Sequence, residues 1–339
     1  MGTPIGDLIS RQPIALSDLA HKTIAIDTHN ILYQFLSSIR GPDGRSLMNS
    51  EGQVTSHLAG LLYRTSNLVE LGIKPIFVFD GPSHPLKQET LEKRHAIRTA
   101  AREEMVKAIE AGDLERARMM GARAVSLNKE MIAEAQEALQ YLGFPIVQAK
   151  QEGESQAAQL VHQKLAYGVA TQDYDSLLFG TPFVIRNMAV TGKRKLPYRN
   201  AYVNVEPEKM ELERILKELN LSRKQLVWIG MLVGTDFNEK IHLVGPKKAL
   251  KAVAGKKNFE EVLQGLGKTI TYDWKQVEDL FLHPSVNPIK EIPISIMNRE
   301  KAIAFYCDKH GFDHVRVTNA LNKIEKRPED EKQKTLGSW

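Results

Sequence analysis

The run Pro75–Phe79, PIFVF, does most to narrow the fold: five consecutive apolar residues that close on Asp80. An unbroken apolar run of that length reads as a buried strand. Thr23–Ile26, Pro145–Gln148, Tyr167–Thr171 and Phe183–Arg186 read as further strands. Helical patterns lie between them, one following the first strand to about Arg40 and another over Val54–Leu71. Short strands alternating with helices predict an α/β fold with a mixed, mostly parallel central sheet flanked by helices.

One stretch breaks this rhythm. From about Pro85 to Leu142 the sequence is polar, charged and strongly helical, with Gly112 and Gly121 as its main breakers. It is too long for an ordinary crossover and reads as a helical insertion between two strands. A solvent-facing helical pair would carry the same charge pattern. After Val205 the pattern turns mainly helical, and Lys326–Lys334 has the composition of a disordered segment.

The chain has 339 residues, 42% of them hydrophobic, enough to bury a sizeable core. Its one cysteine, Cys307, leaves no intramolecular disulfide and no thiolate metal cluster. With no signal peptide and no apolar run near ~18 residues, neither export nor a membrane span is expected, and the cytoplasm is the expected compartment. Lys and Arg number 46 against 41 Asp and Glu, a balance compatible with nucleic-acid binding without establishing it. Residues 188–200 hold Lys193, Arg194, Lys195 and Arg199 without an acid, which alone reads as a solvated hairpin.

Acids recur where the strands end. Asp27 closes TIAID and Asp80 closes IFVFD; Glu152 and Glu154 follow the PIVQ strand; Asp173 and Asp175 close VATQDYD; Asp236 sits in MLVGTDF. Taken singly, each reads as a helix cap or turn residue. Together they predict a site, because the C-terminal strand ends of a parallel sheet share one edge. In extended backbone the E-G-E and D-Y-D spacings would point both carboxylates of each pair to one side, about 7 Å apart. Crowded carboxylates repel unless cations neutralise them. Oxygen-only ligands favour Mg²⁺ or Mn²⁺ over Zn²⁺, and two such ions can activate water and stabilise the leaving oxygen of a phosphodiester.

The blocks IAIDTHNILYQFLSSIR, TSHLAGLLYRTSNLVELGIKPIFVFDG, QEGESQAA, TQDYDSLLFG, TGKRKLP and GTDF resemble, in order, those of archaeal-type flap endonucleases, structure-specific 5′ nucleases. The likeness covers the chain to about residue 250. It implies a nuclease domain over residues 1–326 that cuts DNA at the base of 5′ flaps in Okazaki-fragment maturation and repair, with 5′–3′ exonuclease activity. It also implies two Mg²⁺ ions held by all seven acids, with Asp80, Glu152 and Glu154 nearer one and Asp173, Asp175 and Asp236 nearer the other. The insertion (about 82–140) resembles the family's arch, which a 5′ single strand threads. Lys87, Arg94, Arg98 and Arg102, spaced seven, four and four, fall near one helix face able to grip phosphates. Lys87 and Arg94 match the family's catalytic basic positions, Tyr33 its base-stacking aromatic, and Gly2 its mature N-terminus near the site. Lys193, Arg194 and Lys195 are expected DNA contacts.

GTDFNEKIHLVGPKKALKAV resembles a helix–two-turn–helix (about 222–256) that holds the uncut duplex through Gly245, Lys247, Lys248 and a bound K⁺. The family's G-x-G reads Leu243-Val244-Gly245 here. A Leu enters the left-handed region less readily than Gly, so an altered turn with a weaker cation site or duplex grip is expected. In the tail, 327–339, Gln333, Leu336 and Trp339 fit a peptide for the sliding clamp PCNA, although the chain stops before the usual second aromatic. The expected partners are thus branched DNA and the clamp, with no membrane and a monomeric protein. A bubble-cutting or exonuclease relative, a DNA-binding scaffold and a metal-dependent ribonuclease are the competing readings. Short length, the compact arch and the clamp-like tail favour the flap enzyme over its relatives, the full acid set with Lys87 and Arg94 over a scaffold, and the long arch with the duplex-binding segment over a ribonuclease.

Overall fold

The structure, a computed structural model, describes residues 2–41, 45–189, 192–195 and 202–326, with side chains left aside at 192–195 and 202–204. The candidate clamp peptide and Arg199 lie outside the described residues, as do the side chains of Lys193, Arg194 and Lys195. Nine strands are described: β1 (Gln12–Pro13), β2 (Thr23–Asp27), β3 (Lys74–Phe79), β4 (Ile146–Gln148), β5 (Gly168–Ala170), β6 (Phe183–Arg186), β7 (Gly192–Lys195), β8 (Tyr202–Val205) and β9 (Glu208–Glu211). Seven form one sheet in the order β1-β9-β6-β5-β2-β3-β4, and β7 pairs with β8. From β6 to β4 every pairing is parallel, with Ala25 opposite Ile76 and Val169; β9 joins β6 antiparallel. The mixed, mostly parallel sheet expected from the apolar runs is the one found.

The unbroken run at β3 now has its cause. Phe77 and Phe79 enter one core with Ile24 and Ile26, while Ile76 and Val78 enter another with Ala25 and Val147. Both faces of the sheet are covered, so both sets of alternating side chains are apolar.

The helices are α1 (Thr28–Ser38), α2 (Ser56–Ala59), α3 (Thr65–Glu70), α4 (Gln88–Glu110), α5 (Leu114–Arg123), α6 (Lys129–Tyr141), α7 (Gly153–His162), α8 (Asp175–Leu178), α9 (Leu212–Leu219), α10 (Arg223–Val233), α11 (Pro246–Val253), α12 (Phe259–Leu266), α13 (Trp274–Leu282), α14 (Arg299–Ile303) and α15 (His314–Glu325). A π-helical turn, Gly60–Arg64, joins α2 to α3, so the helix expected over Val54–Leu71 is present with an irregular middle. Among the described residues no helix is long and apolar enough to cross a membrane.

Within the insertion, α4 and α5 form a hairpin that buries Ala101, Ala108, Ala117 and Gly121. Gly112, at φ 72°, breaks the chain between them as expected. Gly121 does not break it: it lies inside α5, and its carbonyl accepts from Arg40 Nη2 at 2.7 Å. It is buried there, and the break comes later, before Asn128 caps α6 through the Met131 N–H. α6 belongs to the main core through Ala135, Ala138 and Leu139.

Gly60 marks a tight crossing, since a β-carbon there would sit 2.2 Å from the Phe35 ring of α1. Alanine usually helps a helix, but overpacking a filled core costs about 1–3 kcal/mol. Gly60→Ala is therefore expected to lower the urea midpoint with an unchanged slope. A midpoint at or above that of the parent would mean that Phe35 has room to move.

Candidate active site

Asp27 ends β2 and caps α1, its Oδ1 accepting from Asn30 N at 3.1 Å and its Oδ2 from the Thr171 hydroxyl at 3.0 Å. The cap role and the site position are thus held by one residue. Asp80, just beyond β3, accepts at Oδ1 from the Gly153 N–H at 2.7 Å, and His29 Nδ1 stands 3.4 Å from its Oδ2. The glycine is needed there, since a β-carbon at 153 would sit 2.7 Å from that same oxygen.

Glu152 and Glu154 are not an extended pair. Glu152 is the N-cap residue of α7 and Glu154 lies in its first turn. A helix begins at Gly153, so the two carboxylates reach different neighbours. Glu152 Oε2 meets Lys87 Nζ at 2.6 Å, whereas Glu154 is surrounded by Asp175, Asp173 and Asp27. Likewise Asp175 opens α8, and Asp173 lies in the loop before it. The alternating-side geometry expected of E-G-E and D-Y-D is therefore absent; helix starts gather the acids instead. Nor is their division into two groups sharp, because Glu154 faces the acids expected at the other ion. Asp173 accepts from Gly2 N at 2.8 Å and from Asn30 Nδ2 at 3.0 Å, and Asp175 accepts from Thr3 N at 2.7 Å, which places Gly2 at the site.

Two cations from the start of the insertion close the cluster. Lys87, just ahead of α4, also lies 3.5 Å from Asp236 Oδ2, and Arg94 pairs with Asp236 Oδ1. Burial lowers the pKa of the Lys87 ammonium, but Glu152, Asp236 and Asp80 outweigh it and hold the group charged. Arg98 lies over the Tyr33 ring, 5.1 Å from its centroid, tying α4 to α1. Arg102 is exposed on the same helix.

The acids are strained electrostatically. Burial, then the neighbouring Asp80, pushes Asp27 up to about 7. Burial, then Asp236 and Asp173, pushes Asp175 up to about 6. Glu154 is raised well above its ordinary range by burial and by Asp175, Asp173 and Asp27. Asp173 goes the other way: burial raises it, but the positive groups and donors around it, among them the Gly2 N–H and Arg94, prevail.

The donor set fits divalent cations. Seven carboxylates face Lys87 and Arg94, and buried like charges of this kind persist only with further positive charge. Among the described residues no three imidazoles or carboxylates close on one point as they stand. An ion such as Mg²⁺, which keeps several of its waters, would be reached partly through them.

In the turn before α11, Leu243 takes φ 61°, so the left-handed conformation is kept despite the missing glycine. Val244 points into the core and Gly245 caps α11, while Lys247 and Lys248 are exposed. Leu243 thus enters the left-handed region that a leucine reaches less readily than a glycine. Sequence reasoning missed Thr3, His29, Asn30 and Thr171, whose polar atoms hold the acids in place. Their nearest signal is position, two of them in DTHN directly after Asp27.

A cavity of about 420 Å³ lies elsewhere, lined by Met48, Tyr63, His310, Phe312 and Arg316 among others. It adjoins Ile39, at the end of α1 away from Asp27, roughly 17 Å along the helix. None of the seven acids is among the residues that line it.

A model of the XPG N-terminal domain matches residues 5–101, and one of the XPG I-region matches residues 143–236. These regions put the chain in the XPG class of nucleases. Flap endonuclease 1 of Thermococcus onnurineus is 45% identical over 340 residues, covering 100% of this chain and 99% of that protein. Flap endonuclease-1 from Methanococcus jannaschii superposes with a TM-score of 0.75 at 33% identity, covering 95% of this chain and 98% of that one. The chain belongs to the flap endonuclease family, whose members are metal-dependent nucleases. The catalytic core of Rad2 in complex with a DNA substrate shares the fold, with a TM-score of 0.67 at 24% identity over 94% of this chain and 97% of that one.

Since Asp27 and Asp175 titrate higher folded than unfolded, they leave stability untouched below pH ~4 and remove it as the pH rises toward ~7. Asp175→Asn keeps an oxygen for the Thr3 N–H and drops the charge. In chelator at pH 8 it should stabilise the fold by about 1–3 kcal/mol, and millimolar magnesium should narrow the difference. A variant melting at or below the parent's temperature in chelator would mean that the protein alone already neutralises Asp175.

Proposed function

We propose that this chain hydrolyses DNA phosphodiesters at the base of 5′ flaps, with Mg²⁺ as the working cation, and also trims 5′ ends exonucleolytically. Okazaki-fragment maturation and DNA repair are the settings for that activity. One observation carries the reading: seven acids gather at the C-terminal edge of a parallel sheet, directly beneath a helical hairpin that brings Lys87 and Arg94 to them. A binding scaffold would gain nothing from so many carboxylates beside a polyanion.

Asp27, Asp80, Glu152, Glu154, Asp173, Asp175 and Asp236 would hold two Mg²⁺ ions, with Mn²⁺ a substitute. Bound there, the cations supply an activated water and the charge that stabilises the leaving oxygen. The remaining work belongs to side chains. Lys87 and Arg94 exchange carboxylate partners for the scissile phosphate and stabilise its growing charge. Tyr33 offers its ring to the base beside the cut once Arg98 leaves it. The Gly2 and Thr3 N–H groups keep Asp173 and Asp175 oriented.

Residues 1–326 act as one nuclease unit. The arch, 82–140, admits the single strand, and the segment 222–256 holds the duplex through Gly245, Lys247, Lys248 and a K⁺ ion. Arg98, Arg102, Lys193, Arg194 and Lys195 add phosphate contacts. The tail, 327–339, recruits the clamp PCNA through Gln333, Leu336 and Trp339. The protein works as a monomer in the cytoplasm.

The test uses a 5′-labelled double-flap DNA. With Mg²⁺ it should yield one product from a cut near the flap base; chelator or Asp175→Ala should abolish the cut while sparing binding. Arg94→Ala should lower kcat by about 10²-fold with little change in KM; a loss confined to KM would make Arg94 a phosphate grip only. No cut on any branched DNA, with binding retained, would return the scaffold reading.

Removing Gln333–Trp339 is expected to leave basal cleavage intact and to eliminate stimulation by the clamp. Equal stimulation with and without the tail would defeat the assignment of that peptide.

A further inference from the structure

Leu243 combines two features that folding does not explain. Its φ of 61° is a conformation that glycine adopts freely and a side chain disfavours. Its side chain is also 74% exposed, so it adds little to the core. Glycine would relieve both penalties, and the flanking residues show that the turn does not need this leucine for packing. Ile241 and Val244, on either side, are the core anchors, and the Val244 N–H is bonded to the Ile241 carbonyl at 3.1 Å. Backbone strain of this kind, kept where stability gains nothing from it, points to a role outside folding.

The surroundings define that role. His242, Gly245, Lys247 and Lys248 are exposed around Leu243, and Lys248 Nζ lies 3.4 Å from its carbonyl. Gly245 caps α11, and a β-carbon there would meet nothing within 4 Å, which leaves the backbone open to a close approach. An apolar side chain raised among cations proposed to bind phosphates would meet an apolar surface that a duplex offers beside its phosphates whatever its sequence, the C–H faces of the deoxyriboses along the minor-groove edge.

We propose that Leu243 is an apolar contact of the duplex grip, packing on deoxyribose in a manner independent of sequence. The inference rests on the duplex-holding role proposed for residues 222–256. The left-handed backbone is the device that aims the side chain outward while Ile241 and Val244 stay buried.

Binding of an unbranched duplex is measured across a salt series, and flap cleavage beside it, for the full-length parent, Leu243→Gly, Leu243→Ala, Leu243→Met and Lys247→Ala. Leu243→Gly and Leu243→Ala should each weaken duplex binding about three- to tenfold, as expected for losing an apolar contact. KM for the flap should rise while kcat holds. The salt dependence should not change, because no charge is removed, whereas Lys247→Ala should flatten its slope by about one. Leu243→Met should keep the parent's affinity. Leu243→Gly should also melt higher and Leu243→Ala should not, which separates strain from contact. Parent-like affinity in both Leu243→Gly and Leu243→Ala, with Lys247→Ala weakened, overturns the contact alone. Parent-like affinity and slope in all three would remove the duplex-holding role of this segment and the leucine's role with it.

Discussion

Like charges gathered at one edge of a parallel sheet govern this molecule. Parallel pairing of β6, β5, β2, β3 and β4 sends the C-terminal ends of these strands to a common line. Asp27, Asp80, Glu152, Glu154, Asp173 and Asp175 follow from that connectivity, since each stands at or shortly after a strand end. Asp236 arrives from the segment after α10. Several of these groups are raised well out of the ordinary carboxylate range, so the edge is a place where the fold is weaker than it needs to be. A protein keeps such an edge for what it binds, not for stability. The local donors fit this view: Thr3, Asn30, Thr171 and Gly153 each hold a carboxylate in a fixed direction without neutralising it.

That constraint also explains the attachment of the insertion. The α4–α5 hairpin could stand away from the sheet as a solvated pair, as its charge pattern permits. It is drawn in at one end because Lys87 and Arg94 face the acids, and it rests on α1 through Arg98 over Tyr33 and on the segment just after α1 through Arg40, which donates to the Gly121 carbonyl. The placement of the hairpin and the charge state of the edge are therefore linked. Anything that brings positive charge to the acids loosens the hold on Lys87 and Arg94.

Much of this was legible in the sequence because it depends on local pattern. PIFVF had to be a strand covered on both faces, and an acid after each strand had to reach the shared edge. What was not legible depends on where the helices start. The E-G-E and D-Y-D spacings suggested extended pairs, but α7 begins at Gly153 and α8 at Asp175, so these acids converge from helix starts with divergent neighbours. Gly121 looked like a break because glycine disfavours helix interiors, yet it lies buried inside α5. Leu243 looked unfit for its turn, yet the packing of Ile241 and Val244 outweighs the backbone preference of one residue. In each case tertiary packing, which a single sequence does not display, overrode a sound local rule.

The two cations have a double use that gives the site an order of events. Without substrate, Lys87 and Arg94 answer Glu152 and Asp236, and the acids remain only partly neutralised. A phosphate arriving alone would compete with carboxylates for the same two cations and gain little, while its own charge would meet the uncompensated acids. Divalent cations arriving with it would change the balance, since the acids would hold them and Lys87 and Arg94 would be freed for the phosphate. The crowded edge therefore disfavours binding the scissile phosphate productively unless the cations are present. On the proposed roles of Lys87 and Arg94, the same electrostatics would couple substrate positioning to metal loading.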